Sequence, residues 1–339
     1  MEIKKNVQIA PYTTLKVGGS ADFFVEVATK EELKEAVSFA KEHIFPIFVL
    51  GGGSNILVSD EGVRGLTIKN NIKGIEYEEK DDVVLVRVGA GESWDALVED
   101  TVKQKFFGLE NLSLIPGSIG GAPVQNIGAY GVELKDVLRE VEVFNTETGE
   151  FEVVPKVECE FEYRKSRFQR ERNLIITKAT FLLKKKWHPH IEYKDLVHFF
   201  EKNKEPTQRE VRDAVIAIRR EKFPDTKVVG TAGSFFKNPI LEEKLFARLK
   251  ELYPDVPSYP LSGSNVKIPL AWILEHVCTL KGYKEGNVSL YKNHALVLVN
   301  EGHCAEDVIV FAKKIQKNVF VKTNIIIEPE VTFVGEKSL

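Results

Sequence analysis

The sequence has few cysteines, and none lies in a pattern typical of a disulfide framework or a zinc site. Cys159, Cys278 and Cys304 are odd in number, far apart and outside any Cys-x-x-Cys spacing. The seven histidines include no His-Glu-x-x-His motif, and His188-Pro189-His190 has the composition of a loop. We therefore expect buried or half-buried free thiols and no metal site.

Long apolar runs and a strong net charge are also absent. No stretch approaches the roughly 20 apolar residues that span a bilayer, and the first residues lack the apolar core of a signal peptide. The formal charge of -3 over 339 residues gives no electrostatic reason to expect nucleic acid or an anionic membrane as partner. With no heptad-like face, we expect a cytoplasmic monomer that binds neither.

Periodicity and capping signals predict a mixed α/β chain with at least two domains. Thr29-x-x-Glu32 and Thr207-x-x-Glu210 have capping-box spacing and predict helices over 30–43 and from 207 to a stop at Phe223-Pro224. Further helices are predicted at 93–105, 241–252, 270–278 and 305–317, strands at 47–50, 82–89, 173–183, 295–299 and 324–333, and a hairpin at 137–154. We place a domain boundary after residue 223, with a smaller α/β domain beyond it.

Two glycine-rich segments carry the strongest functional signal. Gly51–Asn55 and Pro116–Gly131 each follow an apolar stretch and hold almost no charge. Successive glycines expose N–H donors, permit positive φ and let the backbone approach a phosphate or a ring. No Gly-x-Gly-x-x-Gly or Gly-Lys-Ser/Thr motif is present, which disfavours a Rossmann domain and a P-loop. Either segment alone could be a tight turn, but together they suit a dinucleotide.

The second segment has the composition that a flavin ring requires. It carries the amides Gln125 and Asn126 and the aromatic Tyr130 among its glycines. The isoalloxazine ring presents carbonyls and ring nitrogens that bind amide and backbone groups, and a wide apolar body that packs against flat walls. The segment therefore favours FAD.

The segments GGGSNILVSDEGVRG (51–65) and PGSIGGAPVQNIGAYG (116–131) together resemble the FAD-binding region of the UDP-N-acetylenolpyruvoylglucosamine reductases. The resemblance implies an FAD-binding domain of the vanillyl-alcohol-oxidase type over 1–223, in lobes of about 1–70 and 71–223. It also implies a substrate-binding domain over 224–324 and a C-terminal strand over 325–339 that returns to the FAD domain. The implied activity is NADPH-dependent, FAD-mediated reduction of UDP-N-acetylenolpyruvoylglucosamine to UDP-N-acetylmuramate in peptidoglycan precursor synthesis, with the FAD held non-covalently.

By the same resemblance, residues of the two glycine segments are the expected FAD-binding residues. They are Gly51, Gly52, Gly53, Ser54, Asn55, Ile115, Pro116, Gly117, Ser118, Gly120, Gly121, Gln125, Asn126, Ile127, Ala129, Tyr130 and Gly131.

Three further residues are expected to be catalytic. Ser234, in GTAGSFFKNP, is the implied proton donor, although a serine in such a place could be a helix cap or turn. Arg164 is implied to bind the enolpyruvyl carboxylate through its planar fork, although sequence alone would favour a solvated arginine or an ion pair with Glu160 or Glu162. Glu330 works with them by resemblance. Glu328 is the less favoured carboxylate, and both could lie on an exposed edge strand.

Four residues resemble family positions that bind the UDP-sugar, namely Tyr193, Lys222, Asn238 and Tyr259. Each has a simpler interpretation, because a lysine can complement a helix C-terminus, an asparagine can hold a turn and a tyrosine can pack. The segment 188–196 resembles the loop found only in the longer subclass of these reductases, which would place the chain in that subclass.

Two other functions remain open from the residues. One is an oxidase of the same flavoprotein superfamily, although no histidine for a covalent flavin link lies in either glycine segment. The other is a non-catalytic protein that binds a nucleotide or UDP-sugar, which would leave Ser234, Arg164 and Glu330 without a role.

Overall fold

The computed structural model describes residues 1–203, 205–261 and 263–335. The α-helices in this part of the chain are α1 (Lys30–Glu42), α2 (Trp94–Lys103), α3 (Leu134–Val137), α4 (Lys194–Phe199), α5 (Gln208–Lys222), α6 (Glu243–Leu252), α7 (Leu270–Trp272) and α8 (Ala305–Thr323). A π-helix over Ile273–Val277 continues α7.

The strands of the same ranges are β1 (Lys4–Gln8), β2 (Ser20–Val27), β3 (Ile47–Leu50), β4 (Ile56–Val58), β5 (Val63–Asn70), β6 (Ile75–Lys80), β7 (Val83–Gly89), β8 (Gly128–Ala129), β9 (Val132–Glu133), β10 (Leu138–Asn145), β11 (Glu150–Pro155), β12 (Leu174–Lys184), β13 (Ile240–Glu242), β14 (Tyr259–Pro260), β15 (Asn265–Lys267), β16 (Lys284–Glu285), β17 (Val288–Tyr291), β18 (His294–Asn300) and β19 (Thr332–Val334). Strands and helices alternate irregularly, and the predicted mixed α/β class agrees with this order.

The chain divides into two compact units. The first comprises residues 1–7, 21–53 and 64–220, and the second comprises residues 8–20, 54–63 and 221–339. The change at 220–221 lies close to the boundary expected after residue 223. The predicted domain bounds themselves stay a prediction, and the last residues of the expected strand 325–339, from 336 onward, lie outside the described residues.

Two large sheets build the first unit, together with the two-stranded sheet of β8 and β9. β1, β2, β5 and β3 form a four-stranded sheet in that order, with β3 parallel to β5, and α1 packs its apolar face on it. β11, β10, β12, β7 and β6 form a five-stranded antiparallel sheet. The helix α2 buries Trp94, Leu97 and Val98 in the core of this second sheet. The first glycine segment begins directly after β3.

The two predicted capping signals work as their spacing indicates. Thr29 Oγ1 accepts from the Glu32 N–H at 3.1 Å and begins α1, while the Glu32 carboxylate accepts from the Ala28 N–H at 2.7 Å. At α5 the exchange is reciprocal, because Thr207 Oγ1 accepts from the Glu210 N–H and the Glu210 carboxylate accepts from the Thr207 N–H. Both predicted helices are confirmed.

A buried ion pair fixes α5 in the first unit. Arg212 is 5% exposed, and its guanidinium binds the Asp95 carboxylate in a fork, with Nη1–Oδ1 at 2.8 Å and Nη2–Oδ2 at 3.3 Å. The same Nη1 donates to Ser113 Oγ at 2.9 Å, and Asp95 also accepts from the Leu114 N–H. The pair therefore ties α5 to α2 and to the residues that lead into the second glycine segment.

The second unit has one large apolar core. β16, β17 and β18 form an antiparallel sheet, β13, β15 and β14 form another, and β19 pairs in parallel with β4. The core contains Phe235 and Phe236 together with the buried face of α8. Apolar side chains from residues 15–17 and 57 join this core, so the unit is completed by early parts of the chain.

The C-terminal segment differs from the expected strand over 324–333. α8 continues to Thr323 and ends at Asn324, whose φ of 57° is left-handed, and strand pairing begins only at Thr332. Ile325, Ile326 and Ile327 alternate between buried and exposed as in a strand, but between them and β19 only an isolated bridge at Pro329 is formed. The two backbone hydrogen bonds of this bridge are donated by the flanking residues, from the Glu330 N–H to the Phe235 carbonyl and from the Lys237 N–H to the Glu328 carbonyl.

The ion pair predicts a large difference between two arginines of α5. Arg212→Met should lower the free energy of unfolding by about 3 kcal/mol, because it leaves the Asp95 carboxylate without its partner. Arg209→Met removes an exposed pair with Asp213 and should cost at most about 0.5 kcal/mol. Urea denaturation of both variants checks this, and equal midpoints would contradict it.

Candidate active site

The two glycine segments touch each other within the first unit. β3 ends at Leu50, and the next residues run against the start of the second segment. A Cβ on Gly52 would lie 2.5 Å from Gly117 Cα and 2.9 Å from the Ser118 N atom, which is too close for any side chain. Gly117 itself has a φ of 126°. The contact therefore requires glycine at residue 52 because backbone occupies the position of its side chain.

Ser118 lies at the centre of this contact. Its side chain is buried, and among the described residues its Oγ has no hydrogen-bond partner. A Cβ on Gly51 would lie 2.7 Å from that Oγ, so the hydroxyl fills the space beside the first segment. A buried hydroxyl without a partner costs free energy, and a bound polar ligand would relieve that cost. Ser118 thus fits a group with hydrogen-bonding oxygens or nitrogens.

Asn126 organises the middle of the second segment. It is fully buried with a φ of 44°, and its Oδ1 accepts from the Lys135 N–H at 3.0 Å. Its Nδ2 donates to Glu133 Oε2 and to the Glu162 carbonyl. The side chain is therefore engaged by protein groups that hold the segment's turn, and its predicted contact with FAD stays a prediction.

Arg164 is tied directly to the second segment. It occupies a tight turn closed by reciprocal backbone hydrogen bonds between Glu162 and Lys165, and its φ is 56°. Its Nη2 donates to the Gly128 carbonyl at 2.9 Å, and its guanidinium lies over the Tyr163 ring. The structure therefore turns this arginine toward the glycine segment.

The neighbours of Arg164 explain how its turn is held. Ser166 is buried and donates its hydroxyl proton to the Val124 carbonyl at 2.6 Å. Two carboxylates near the turn have cations of their own, since Arg170 pairs with Glu160 and Lys165 pairs with Glu162. Ser166 thus has a structural function, because its hydrogen bond ties the residues after Arg164 to the second glycine segment.

Tyr130 and Tyr193 meet at the end of the second segment. Their rings form an edge contact with centroids 5.5 Å apart, and Tyr130 is buried while Tyr193 is largely exposed. Burial raises the pKa of the Tyr130 phenol to about 12, although the nearby Arg219 guanidinium acts in the opposite direction. The phenol is therefore neutral at physiological pH and can donate a hydrogen bond.

Asn111 links the second segment to the tyrosine loop. This residue is fully buried, and its Nδ2 donates to the Tyr130 carbonyl at 2.9 Å and to the His190 carbonyl at 2.8 Å. The sequence did not single it out, because an asparagine between Glu110 and Leu112 carries no pattern of its own. Its two donors fix the loop that bears Tyr193 against the end of the glycine segment.

In the second unit, the backbone at Ser234 lies beside β18. It forms a bridge with Val297 of β18, and the next residue, Phe235, donates its N–H to the Leu296 carbonyl. Phe235 and Phe236 are buried, whereas Ser234 is only half-buried. The phenylalanines therefore anchor the segment and fix the serine beside β18.

Glu330 is held next to the same segment. Its N–H donates to the Phe235 carbonyl at 2.8 Å, and its carbonyl accepts from Asn55 Nδ2 at 3.0 Å. The Asn55 carbonyl in turn accepts from the Thr332 N–H. Three parts of the sequence that were predicted separately, around Asn55, Ser234 and Glu330, are thus joined by hydrogen bonds within one unit.

Glu328 differs from Glu330 in its surroundings. Its side chain is 70% exposed, and its Oε2 lies 3.5 Å from Lys237 Nζ in a surface ion pair. Glu330 is half-buried, and its backbone is fixed on both sides. Glu330 is thus the more enclosed of the two carboxylates, and the preference for it stays a prediction.

The residues expected to bind the UDP-sugar lie in varied surroundings. Asn238 Oδ1 accepts from the Leu270 N–H at 2.9 Å, so this side chain holds the start of α7. Tyr259 is in β14, exposed, with Lys267 Nζ 5.9 Å from its ring centroid. Lys222 is the half-buried last residue of α5. Their roles in binding stay predictions.

Asp60, which lies in the segment 51–65, has a structural role that the sequence did not reveal. Its carboxylate accepts from the Ala305 N–H at 2.8 Å and from the Glu306 N–H at 3.0 Å. It therefore caps α8 from a distant part of the chain and complements the positive end of its helix dipole.

The described residues also bear on the expectations for cysteines, metal sites and membrane spans. The three cysteines are free, with Cys159 and Cys278 buried and Cys304 half-buried, as predicted. In the described ranges, no group of three or more metal-binding side chains is found, and no helix is long and apolar enough to cross a membrane.

Comparisons with known proteins agree with this organisation. Residues 21–154 match the family model of an FAD binding domain, and residues 224–334 match that of the UDP-N-acetylenolpyruvoylglucosamine reductase C-terminal domain. A UDP-N-acetylenolpyruvoylglucosamine reductase of Photorhabdus laumondii is 44% identical over 301 residues, which cover 88% of this chain and 87% of that protein. The enzyme of Flavobacterium johnsoniae is 40% identical, covering 98% and 100% of the two chains.

A solved structure shows the same likeness. The crystal structure of UDP-N-acetylenolpyruvylglucosamine reductase from Thermus caldophilus superposes with a TM-score of 0.71 at 28% identity, covering 99% of this chain and 100% of that one. Fold and site together define a flavin-dependent oxidoreductase with an FAD-binding domain of the vanillyl-alcohol-oxidase type. The chain belongs to the UDP-N-acetylenolpyruvoylglucosamine reductase family.

The predicted family, fold class and FAD cofactor are therefore confirmed. We call the contact of Gly51 and Gly52 with Gly117 and Ser118 the cradle. The cradle fits FAD, since it offers a buried Ser118 hydroxyl without a hydrogen-bond partner and a backbone surface that side chains would obstruct.

The contact between the segments predicts an effect of a single methyl group. Gly52→Ala should lower the free energy of unfolding by about 2 kcal/mol and reduce the flavin content of the purified protein, because its Cβ overlaps backbone. Gly121→Ala is a matched control for the fold, since its Cβ would meet Ser118 atoms no closer than 3.5 Å. Thermal unfolding and the flavin absorbance measure both effects, and an unchanged Gly52→Ala protein would contradict the packing argument.

Proposed function

We propose that the protein reduces UDP-N-acetylenolpyruvoylglucosamine to UDP-N-acetylmuramate with NADPH as hydride donor, as a step of peptidoglycan precursor synthesis. One observation carries the proposal: hydrogen bonds join Asn55, the Ser234 segment and Glu330, three motifs of this reductase family, into one group. These bonds fix the backbone of the segments that carry Ser234 and Glu330 beside Asn55.

The proposed role of the glycine segments is to bind FAD without a covalent link. Gly51, Gly52 and Gly53 would receive the diphosphate, because successive N–H donors suit an anion. The second segment and Ser118 would bind the flavin ring and its polar edge. The bound flavin supplies transfer of a hydride from NADPH to C3 of the enolpyruvyl ether. The remaining steps belong to the protein's own side chains.

Arg164 is proposed to bind the substrate carboxylate. Negative charge grows on the enolate and carboxylate when the hydride arrives, and a guanidinium presents two parallel donors to such a group. Its hydrogen bond to the Gly128 carbonyl holds the side chain before substrate binds, which reduces the entropy that ordering would cost. Lysine could not reproduce the fork.

Ser234 is proposed to donate the proton to C2 of the enolate, which completes the reduction of the double bond. Its backbone is fixed by β18 and by the adjacent buried phenylalanines, so the hydroxyl is held on a rigid segment. Glu330 would act with Arg164 and Ser234 in stabilising the charge that develops before protonation.

The UDP moiety is proposed to contact Tyr193, Lys222, Asn238 and Tyr259. A lysine suits the phosphates, an amide suits polar atoms of the sugar or base, and the two exposed tyrosines offer flat surfaces for the ring. NADPH is the proposed donor, and a cytoplasmic monomer remains the expected form.

Anaerobic spectroscopy tests the function. NADPH should bleach the flavin absorbance, and addition of UDP-N-acetylenolpyruvoylglucosamine should restore it with formation of UDP-N-acetylmuramate. Substrate alone should leave the oxidised flavin unchanged, whereas bleaching by substrate without NADPH would favour an oxidase.

Ser234→Ala separates the two half-reactions. Reoxidation of the flavin by substrate should slow by about 10²–10⁴-fold, the range of general acid catalysis, while reduction by NADPH continues at the wild-type rate. Stopped-flow absorbance measures each half-reaction, and an equal loss in both would contradict the role as proton donor.

The two C-terminal glutamates predict opposite outcomes. Glu330→Gln should slow reoxidation by substrate by about 10²-fold or more, because a neutral amide cannot replace the carboxylate, and the backbone bonds to Asn55 and Phe235 would be retained. Glu328→Gln loses only a surface ion pair and should react like the wild type. A slow Glu328 variant with a normal Glu330 variant would reverse the assignment.

A further inference from the structure

Lys69 occupies an unusual place for a lysine. It lies near the end of β5, which runs between β2 and β3 in the four-stranded sheet, and the preceding residues Leu66, Thr67 and Ile68 are completely buried. Strands buried in this way are usually apolar throughout, and lysine is rarely buried without a partner. Lys69 is nonetheless half-buried.

The register of the sheet brings Lys69 to the first glycine segment. β5 and β3 are parallel, and Lys69 is the partner of Leu50, the residue before Gly51. The Lys69 ammonium group donates a hydrogen bond to the Gly51 carbonyl. The positive charge therefore lies at the start of the segment whose next residue packs on Gly117.

No carboxylate within the described residues forms an ion pair with Lys69. Glu26 acts on it from farther away, but that exposed carboxylate accepts a hydrogen bond from Asn71, and the second nearby charge, Lys73, has the same sign. Burial lowers the pKa of Lys69, which shows that its charge is incompletely solvated. An anion bound at the glycine segment would supply the missing negative charge.

We propose that Lys69 is an FAD-binding residue that supplies positive charge to the diphosphate at the first glycine segment. The inference rests on the proposed binding of that diphosphate by Gly51, Gly52 and Gly53. The hydrogen bond to the Gly51 carbonyl keeps the ammonium beside the loop, and the charge acts across a half-buried region where water screens it weakly. Peptide N–H groups and one fixed cation together then neutralise the diphosphate.

The test measures the affinity for FAD of Lys69→Gln and of Lys73→Gln at several salt concentrations. Glutamine keeps a donor for the Gly51 carbonyl but removes the charge, and Lys73 is an exposed lysine four residues away on the same stretch. Ultrafiltration of the holoenzyme followed by absorbance of the filtrate gives free and bound FAD directly.

We expect the Kd for FAD of Lys69→Gln to rise about tenfold at 0.05 M NaCl and most of that rise to remain at 1 M, because salt screens a half-buried charge only weakly. Lys73→Gln should bind FAD within about twofold of the wild type, because solvent already screens that charge. An unchanged Kd for Lys69→Gln would overturn the proposal. An equal loss of affinity in Lys73→Gln would also overturn it, since it would indicate a general effect of surface charge rather than a cation held at the glycine segment.

Activity separates this inference from the proposed function. The FAD affinities of Lys69→Gln and Lys73→Gln are measured without substrate or NADPH, so they do not depend on the proposed reaction. A wild-type holoenzyme that NADPH reduces but the substrate fails to reoxidise would contradict the function and leave the measured FAD affinities intact.

Discussion

The approach of Gly52 to Gly117 constrains most of the first unit. Backbone meets backbone at a distance that excludes even a methyl group on residue 52. The residues that follow β3 and the start of the second glycine segment are therefore fixed against each other. Around that contact the chain adds groups that cannot be moved independently: the hydroxyl of Ser118, the ammonium of Lys69 and the turn at Asn126. Of these three side chains, Ser118 is the one whose polar atom protein groups leave without a hydrogen-bond partner, which fits a polar group of the cofactor.

Around this cradle, several polar side chains of the first unit hold the backbone in place. Ser166 and Asn111 both donate hydrogen bonds to backbone carbonyls of the 116–131 segment, so these donors are used within the protein. Arg212 and Asp95 hold α5 against the same region. The polar residues around the second glycine segment therefore include several that hold the backbone in place, in addition to those predicted to touch a ligand.

The sequence predicted the elements whose signals are local. Thr29 and Thr207 identified helix starts because a capping box lies within four residues, and the alternation of 137–154 identified a hairpin. The expected strand over 324–333 was mostly wrong, because pairing depends on a partner that local pattern does not reveal. The site residues came from resemblance, not from chemistry visible in the residues themselves. Lys69, Asn111 and Asp60 escaped notice because each acts on a residue distant in sequence, and only the fold discloses the partner.

The cap that Asp60 places on α8 has a consequence for how this protein can be made. The second unit takes its parallel strand partner, β4, and the cap of its longest helix from residues 54–63, while everything they complete lies beyond residue 220. On the ribosome, these ten or so residues emerge far ahead of β19 and α8 and must wait for nearly the whole chain before they can pair. A gene fragment that starts at α6 would leave the N-terminus of α8 without the Asp60 cap and β19 without its partner β4, so the C-terminal part depends on residues from the start of the chain.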